Sequence, residues 1–206
     1  MRTRINELLE RIRLLENELE ETVAEQRRQA GYVLERGRLF ISHEAREQQA
    51  ALKLGLRRYL VDSGVLSILT APFIYAVAIP IFLLDVTASV YQAICFRVYD
   101  VPQVARRKYV VIDRHRLPYL NMIQKLNCLY CGYANGVIAY VHEIASRTEQ
   151  YWCPIKHAER VPGAHPRCDE FLEYGDVGNY PDGLAQQRDQ LRKETTERTD
   201  EPDAAP

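Results

Sequence analysis

"SGVLSILTAPFIYAVAIPIFLL", residues 63–84, runs for 22 residues without a charged side chain. A helix of roughly 20 apolar residues matches the ~30 Å hydrocarbon core of a bilayer. A buried soluble helix of that length would carry a polar stripe, and this stretch carries none. It predicts a membrane-inserted helical segment and divides the chain into an N-terminal and a C-terminal part.

The apolar character outlasts Leu84. After Asp85 comes "VTASVYQAICF", uncharged as far as Arg97. One helix over residues 63–96 would be about 50 Å long at 1.5 Å per residue, more than one perpendicular crossing needs. Pro72 and Pro80 are candidate break points. Two topologies are open. In one, residues 64–84 cross once and 86–98 lie in the interface. In the other, the chain turns near Pro80–Asp85 and leaves on the side it entered. Arg46, Lys53, Arg57 and Arg58 precede the run; Arg97, Arg106, Arg107 and Lys108 come after it. Cationic flanks on both sides favour two cytoplasmic ends, and so the re-entrant hairpin over the single span. Asp85 reads, first, as an interfacial residue that ends a single span and, second, as a functional carboxylate near the hairpin tip. Cys95 reads as a small core residue.

Before this segment, residues 1–62 are rich in Arg, Glu, Gln and Leu. Ile5, Leu8, Ile12, Leu15, Leu19 and Thr22 occupy a and d positions of a short heptad pattern. It predicts an amphipathic or coiled-coil helix that pairs with a second copy, with a protein partner, or with its own chain. Gly31 and Gly37 weaken the helix, and a second, basic helix is expected over about 43–62. No secretory leader pattern and no lipidation motif is present. The chain of 206 residues has a net charge near −1, so nothing in its global electrostatics draws it to nucleic acid. The basic stretch "DVPQVARRKYVVIDRHR", residues 100–116, holds a strand-like "KYVVID" and lacks an aromatic stacking pattern. Its charges suit anionic headgroups better than nucleic acid.

Four of the five cysteines fall in the C-terminal part, beyond the apolar segment. "NCLYCGYANG", residues 127–136, places Cys128 and Cys131 three apart, and "YWCPIKHA", residues 151–158, places Cys153 and His157 four apart. A C-x2-C pair directs two thiolates at one ion, and zinc takes four N/S ligands in a tetrahedron. Gly132 suits a sharp knuckle after the second thiolate, and Asn135–Gly136 reads as a turn between two helical stretches. The preferred ligands are Cys128, Cys131 and Cys153, completed by His157 or Cys168, with His142 and His165 also in range. Zinc is the expected metal. Iron or an iron–sulfur cluster is the alternative, although ferredoxin spacings are absent. A thiol–disulfide role and purely structural cysteines stay open beside metal binding.

Several catalytic patterns fail at named residues. Gly132 follows Cys131 where a c-type haem site needs His, and Ser146 stands where the second His of H-E-x-x-H would be. No phosphate-binding glycine loop or nucleophile elbow occurs. A closed four-ligand site leaves no position for water, which points away from catalysis.

The block from Lys125 to Ala158, with "KLNCLYCGYANG" and "ASRTEQYWCPIKHA", resembles a group of bacterial membrane-associated proteins without an assigned activity. The resemblance covers about residues 63–160. It implies a bacterial, membrane-associated setting and transfers no catalytic role; the flanking cations lead to the expectation of an inner membrane with the Cys/His domain facing the cytoplasm. The sequence therefore predicts a mainly α chain: residues 1–62 helical, 63–98 inserted in the membrane, 99–175 a small loop-rich Cys/His domain, and 176–206 a polar, largely disordered tail. The expected function is that of a membrane-anchored assembly or adaptor component with a structural zinc; the alternative is an iron- or thiol-based redox component.

Overall fold

The computed structural model describes residues 11, 14, 15, 17–26, 32–35 and 38–200. The chain is mainly helical and falls into two compact units. The first comprises the N-terminal residues through Gly55 together with Leu117–Asn121. The second comprises Leu56–Arg116 and the chain from Met122 on.

In the first unit, helix α1 is described over residues 17–26. Of the heptad positions, Ile5, Leu8 and Ile12 lie outside the described residues, whereas Leu15 and Leu19 are exposed. Strands β1 (Tyr32–Glu35) and β2 (Arg38–Ile41) pair antiparallel, with Tyr32 opposite Ile41 and Glu35 opposite Arg38. This hairpin replaces the plain helix weakening expected near Gly31 and Gly37. Helix α2 (His43–Ala51) starts at Ser42, whose hydroxyl accepts from the Ala45 N–H at 3.3 Å. That cap satisfies one of the open donors of the first turn. The helix expected over 43–62 is interrupted at residues 52–55 before α3 begins.

In the second unit the apolar segment forms one long helical rod, Leu56–Tyr99, of 44 residues. It comprises α3 (Leu56–Ala76), α4 (Ala78–Tyr91), one π-helical turn (Gln92–Phe96) and the single turn α5 (Arg97–Tyr99). The rod is long and apolar enough to cross a membrane, and its most apolar 18-residue stretch has nothing buried. It does not reverse near Pro80–Asp85, so the hairpin favoured by the flanking charges is not the path of the chain. The physical reason lies in where Pro80 sits. It occupies the first turn of α4, where a missing N–H costs little, and it only bends the rod at Val77. Gly64, at φ 74° and ψ 152°, breaks the helix within α3. That backbone region is essentially closed to residues with a Cβ. A left-handed Asp100 ends the rod.

Helix α7 (Met122–Trp152) has 31 residues and runs unbroken through Gly132 and Asn135–Gly136. The expected turn is absent: the Asn135 side-chain amide donates to the Cys131 carbonyl at 2.9 Å within the helix. The two rods lie side by side. Tyr75 meets Asn127 and Tyr130, Asp85 meets Tyr133, Gln92 meets Tyr140, and Tyr99 stacks on Tyr151. Residue numbers rise together on both, so the two helices are parallel.

The segment between Asp100 and Arg116 therefore travels back along the pair. Gln92 clamps it by donating to the Val104 carbonyl at 3.3 Å and accepting from the Val104 N–H at 3.0 Å. After the single turn α6 (Arg106–Tyr109), the backbone passes over Gly136 and Gly132. "KYVVID" makes no strand; its last residues lie along α7 and precede a 3₁₀ turn, Arg114–Arg116. Phe96, Val101, Val104, Tyr140, Ile144 and Leu191 form the core beneath.

The C-terminal part is also more ordered than expected. Helix α8 (Tyr180–Asp200) stands where a disordered tail was expected. Leu191 is fully buried, and Gln187 is buried and bonds Gln150 of α7 at 3.0 Å. Residues 184, 187, 188 and 191 share one helical face, and that face docks, which overrides the polar composition around it.

A Cβ on Gly136 would come within 2.8 Å of the Tyr109 carbonyl oxygen and of the Val110 Cα, both backbone atoms. Gly136→Ala is expected to destabilise the second unit by about 1–3 kcal/mol through overpacking. The check is denaturant unfolding of the detergent-solubilised chain, with Asn135→Ala as a neighbouring substitution that leaves the crossing unobstructed.

Candidate functional site

The seam between the rods holds one buried acid. Asp85 lies on α4 with its side chain 9% exposed. Arg106 engages it with both forks: Nε donates to Oδ1 at 3.0 Å and Nη2 to Oδ2 at 2.7 Å. The Tyr133 hydroxyl donates to Oδ2 at 2.9 Å. Asp85 thus faces neither the tip of a hairpin nor open solvent. It joins three elements: α4, the return segment and α7. Planar two-point pairing of this kind fixes geometry as well as charge.

A second group lies at the far end of α7. His165, buried at 8% exposure, places Nε2 2.9 Å from the Glu149 carboxylate and 3.3 Å from the Cys168 thiol. Among the described residues, Glu149, His165 and Cys168 form the one trio whose ligand atoms lie within 4.8 Å of one another. The local reason is a 3₁₀ turn, Pro166–Glu170, with His165 at its N-cap. At three residues per turn, positions i and i+3 eclipse, so "HPRC" stacks its imidazole over its thiol. Glu149 comes up from α7. His142, two turns earlier on the same face, holds its ring centroid 5.9 Å from that of His165. Carboxylate oxygen, imidazole nitrogen and thiolate sulfur are the three donor types that zinc takes from proteins. Burial, joined by the charges of Glu149 and Asp169, pushes the Cys168 thiol pKa up. Without an ion the thiol keeps its proton, and binding a metal would release it.

The expected ligand set is brought together only in part. Cys168 is in the trio; Cys128, Cys131, Cys153 and His157 are not. Cys128 and Cys131 sit one turn apart within α7, and Cys153 directly follows the helix. At 1.5 Å per residue, about 33 Å of helix separates Cys131 from Cys153, so these three cannot share an ion. Cys153 and His157 are exposed, and all five cysteines are free thiols. Glu149 was not anticipated. Its only signal was helical spacing from His142, which becomes readable once α7 is known to be unbroken.

Beside the trio, Arg167 spans an open cleft of about 530 Å³. It donates to Glu194 at 2.8 Å and Glu143 at 3.3 Å, while Arg147 donates to Glu143 at 2.7 Å and to the Pro102 carbonyl at 2.7 Å. Burial alone would push the Glu143 carboxyl up, but the two guanidinium groups outweigh it and hold its pKa below the ordinary value. The network ties α7, the return segment, the 3₁₀ turn and α8 together.

No family model matches the chain, and neither a curated protein nor a solved structure matches it.

Two outcomes are expected from these contacts. Arg106→Ala leaves the Asp85 carboxylate without its cation; because the Arg106 side chain is 45% exposed and water can enter, the cost should be about 1–3 kcal/mol. The double variant Asp85→Ala, Arg106→Ala should cost clearly less than the sum of the two single losses, read by unfolding in a double-mutant cycle. Glu143 sets an acid limit. Its folded pKa lies below its unfolded value, so its contribution is present above about pH 4.5 and is lost as pH falls through the lower folded value. Glu143→Gln should destabilise the chain by about 2 kcal/mol at pH 7. Melting curves from pH 7 downward should show that gap from the parent closing under acid.

Proposed function

We propose that the protein is a membrane-anchored assembly or adaptor component of a bacterial inner membrane, with the domain beyond its anchor held together by one structural zinc. The long exposed apolar rod supports the anchor, and the Asp85–Arg106–Tyr133 junction ties that anchor rigidly to the folded part. A device that holds position against a membrane needs such stiffness. The cationic return segment, with Arg106, Arg107 and Lys108 level with Asp85, suits a cytoplasmic, anionic headgroup layer.

The observation that carries the zinc reading is the Glu149–His165–Cys168 trio, with its ligand atoms within 4.8 Å. His142, with its ring centroid 5.9 Å from that of His165, is the fourth ligand in this reading, and four protein ligands would close the site. Its place explains its use. Zinc there links α7 to the irregular stretch after Pro154, which otherwise rests on few backbone bonds, such as Lys156 to the Leu172 carbonyl at 2.8 Å. This reading moves the metal away from Cys128 and Cys131. Iron and thiol-redox chemistry lose ground with that move, because they relied on paired thiols.

Metal analysis with an absorption spectrum, on protein purified in mild detergent without chelators, tests the reading. About one zinc per chain and no visible colour are expected, on the pattern of structural zinc sites. His165→Ala and Cys168→Ala should each lose the zinc and expose residues 153–179 to protease, whereas Cys128→Ser with Cys131→Ser should retain it. Zinc lost only in the Cys128/Cys131 variant, or iron with visible absorption, would overturn the assignment.

A further inference from the structure

We infer that zinc at Glu149, His165 and Cys168 docks the C-terminal helix α8 onto α7, with Arg167 as the link, and that α8 is released when the site empties. The inference rests on the zinc reading and goes beyond it by making the docking of a whole helix depend on metal.

Helix α8 has little apolar surface with which to hold itself. Among its described side chains, Leu191 is the one apolar group that is fully buried, in the core with Tyr140 and Ile144, and Leu184 is half-buried. Polar contacts do the rest. Arg188 donates from Nε to the Tyr151 carbonyl at 2.9 Å and lies over the Tyr151 ring at 4.6 Å from its centroid. Gln187 accepts from Gln150 and donates to the Glu170 carbonyl at 2.9 Å. Glu194 receives both forks of Arg167, at 2.8 Å and 3.1 Å. Tyr151 and Gln150 belong to α7, but Glu170 and Arg167 belong to the 3₁₀ turn Pro166–Glu170. The helix is therefore docked in part through that turn.

The same turn carries the metal ligands. His165 and Cys168 bracket Arg167 in the chain, and Glu149 reaches His165 from α7 at 2.9 Å. An ion held by all three pins the turn to α7 on both sides of Arg167. That matters because of what Arg167 spans. The open cleft of about 530 Å³ has Glu143 and Gln150 of α7 on one wall and Gln190 and Lys193 of α8 on another. Arg167 crosses it, donating to Gln150 at 2.7 Å and Glu143 at 3.3 Å on the α7 side and to Glu194 on the α8 side. A long side chain bridging an open cleft contributes little while its backbone is free to move, since ordering it costs rotamer freedom. Without the ion, the link from the ligands to α7 shrinks to the bond between His165 and Glu149. With the ion, the bridge is held at its middle.

The size of the effect follows from linkage. Where the docked turn binds the ion and the undocked turn does not, free zinc at about 100 times its Kd favours docking about 100-fold. The test is hydrogen–deuterium exchange, read by peptide mass spectrometry on the full chain in mild detergent, first with chelator and then with zinc at that excess. Peptides from residues 180–194 should exchange about 100-fold more slowly with zinc, and peptides from α3 should be unchanged. Zinc bound with no change in α8 overturns the coupling and leaves the structural zinc standing. No zinc bound overturns the coupling and the zinc reading together. Slowing of α8 that persists in Cys168→Ala traces the effect to another site and overturns the inference as well. Arg167→Gln keeps every ligand and guards against simple loss of the fold. It should still take up zinc and still protect residues 153–165, while the slowing of α8 falls severalfold. If α8 slows as much in Arg167→Gln as in the parent, Arg167 is not the link and the inference fails.

Discussion

Two helices that touch along their length and run parallel cannot be joined by a short turn. The chain has to travel back the full length of the pair, and its return needs a track. Here the pair is α4 and α7, and the track is cut into the helices themselves. Gly132 and Gly136, one turn apart, let the backbone of Tyr109, Val110 and Val111 lie directly on α7. On the other wall, Gln92 offers its side-chain amide as though it were one more peptide unit, meeting both polar groups of Val104. The π-helical turn that begins there lets Gln92 and Phe96 both face inward, the first to hold the returning chain and the second to fill the core under it. Asp85 and Arg106 then fix the track in register. A slip by one residue would leave a buried carboxylate without its guanidinium, which is far costlier than any single apolar contact in the seam.

This arrangement shows which parts of the sequence spoke plainly. The apolar run over residues 63–84 was legible because freedom from charge over that length is a local property of the chain. So was the helical character of the stretches on either side of Asn135–Gly136, which α7 joins into one helix. The glycines of "GYANG" were legible as special and misread in kind. A glycine needed for a sharp turn and a glycine needed for close approach look alike in one dimension; only the neighbouring backbone distinguishes them. The C-x2-C spacing carries the same ambiguity, since three residues apart is also one turn of a helix. Asp85 was visible as an anomaly in an apolar run, but its partners stand 21 and 48 residues away, and no local pattern couples them. The trio Glu149, His165 and Cys168 was half visible: "HPRC" carries its own eclipsed geometry, whereas Glu149 depends on α7 continuing unbroken.

The misplaced re-entrance has the same origin. Flanking positive charge on both sides of the apolar run argued for a chain that enters and leaves on one side, and the proline-rich stretch before Asp85 offered a place to turn. Pro80 instead occupies the first turn of α4, the position at which a helix tolerates proline best. The cations at Arg106, Arg107 and Lys108 stand at the level of Asp85 because the chain passes that level on its way back along the helix pair.

The polar inner face of the rod is a consequence of this geometry. An apolar helix in lipid has no hydrophobic reason to associate with a neighbour, because acyl chains are as apolar as leucine; packing and hydrogen bonds must supply the preference. Along the rod the inward positions are Ala71, Tyr75, Ala78, Asp85, Ser89 and Gln92, small or polar, while Leu69, Phe73, Phe82 and Leu83 face outward. The partners on α7 are Asn127, Tyr130, Tyr133 and Tyr140, each bringing a hydroxyl or amide to a seam otherwise lined by small side chains. A seam of this composition does not depend on apolar surroundings to hold the two helices together. It runs from Tyr75 to Tyr99 along one continuous pair of helices. At the other end of the apolar stretch, Gly64 with its positive φ separates it from the basic turn before it.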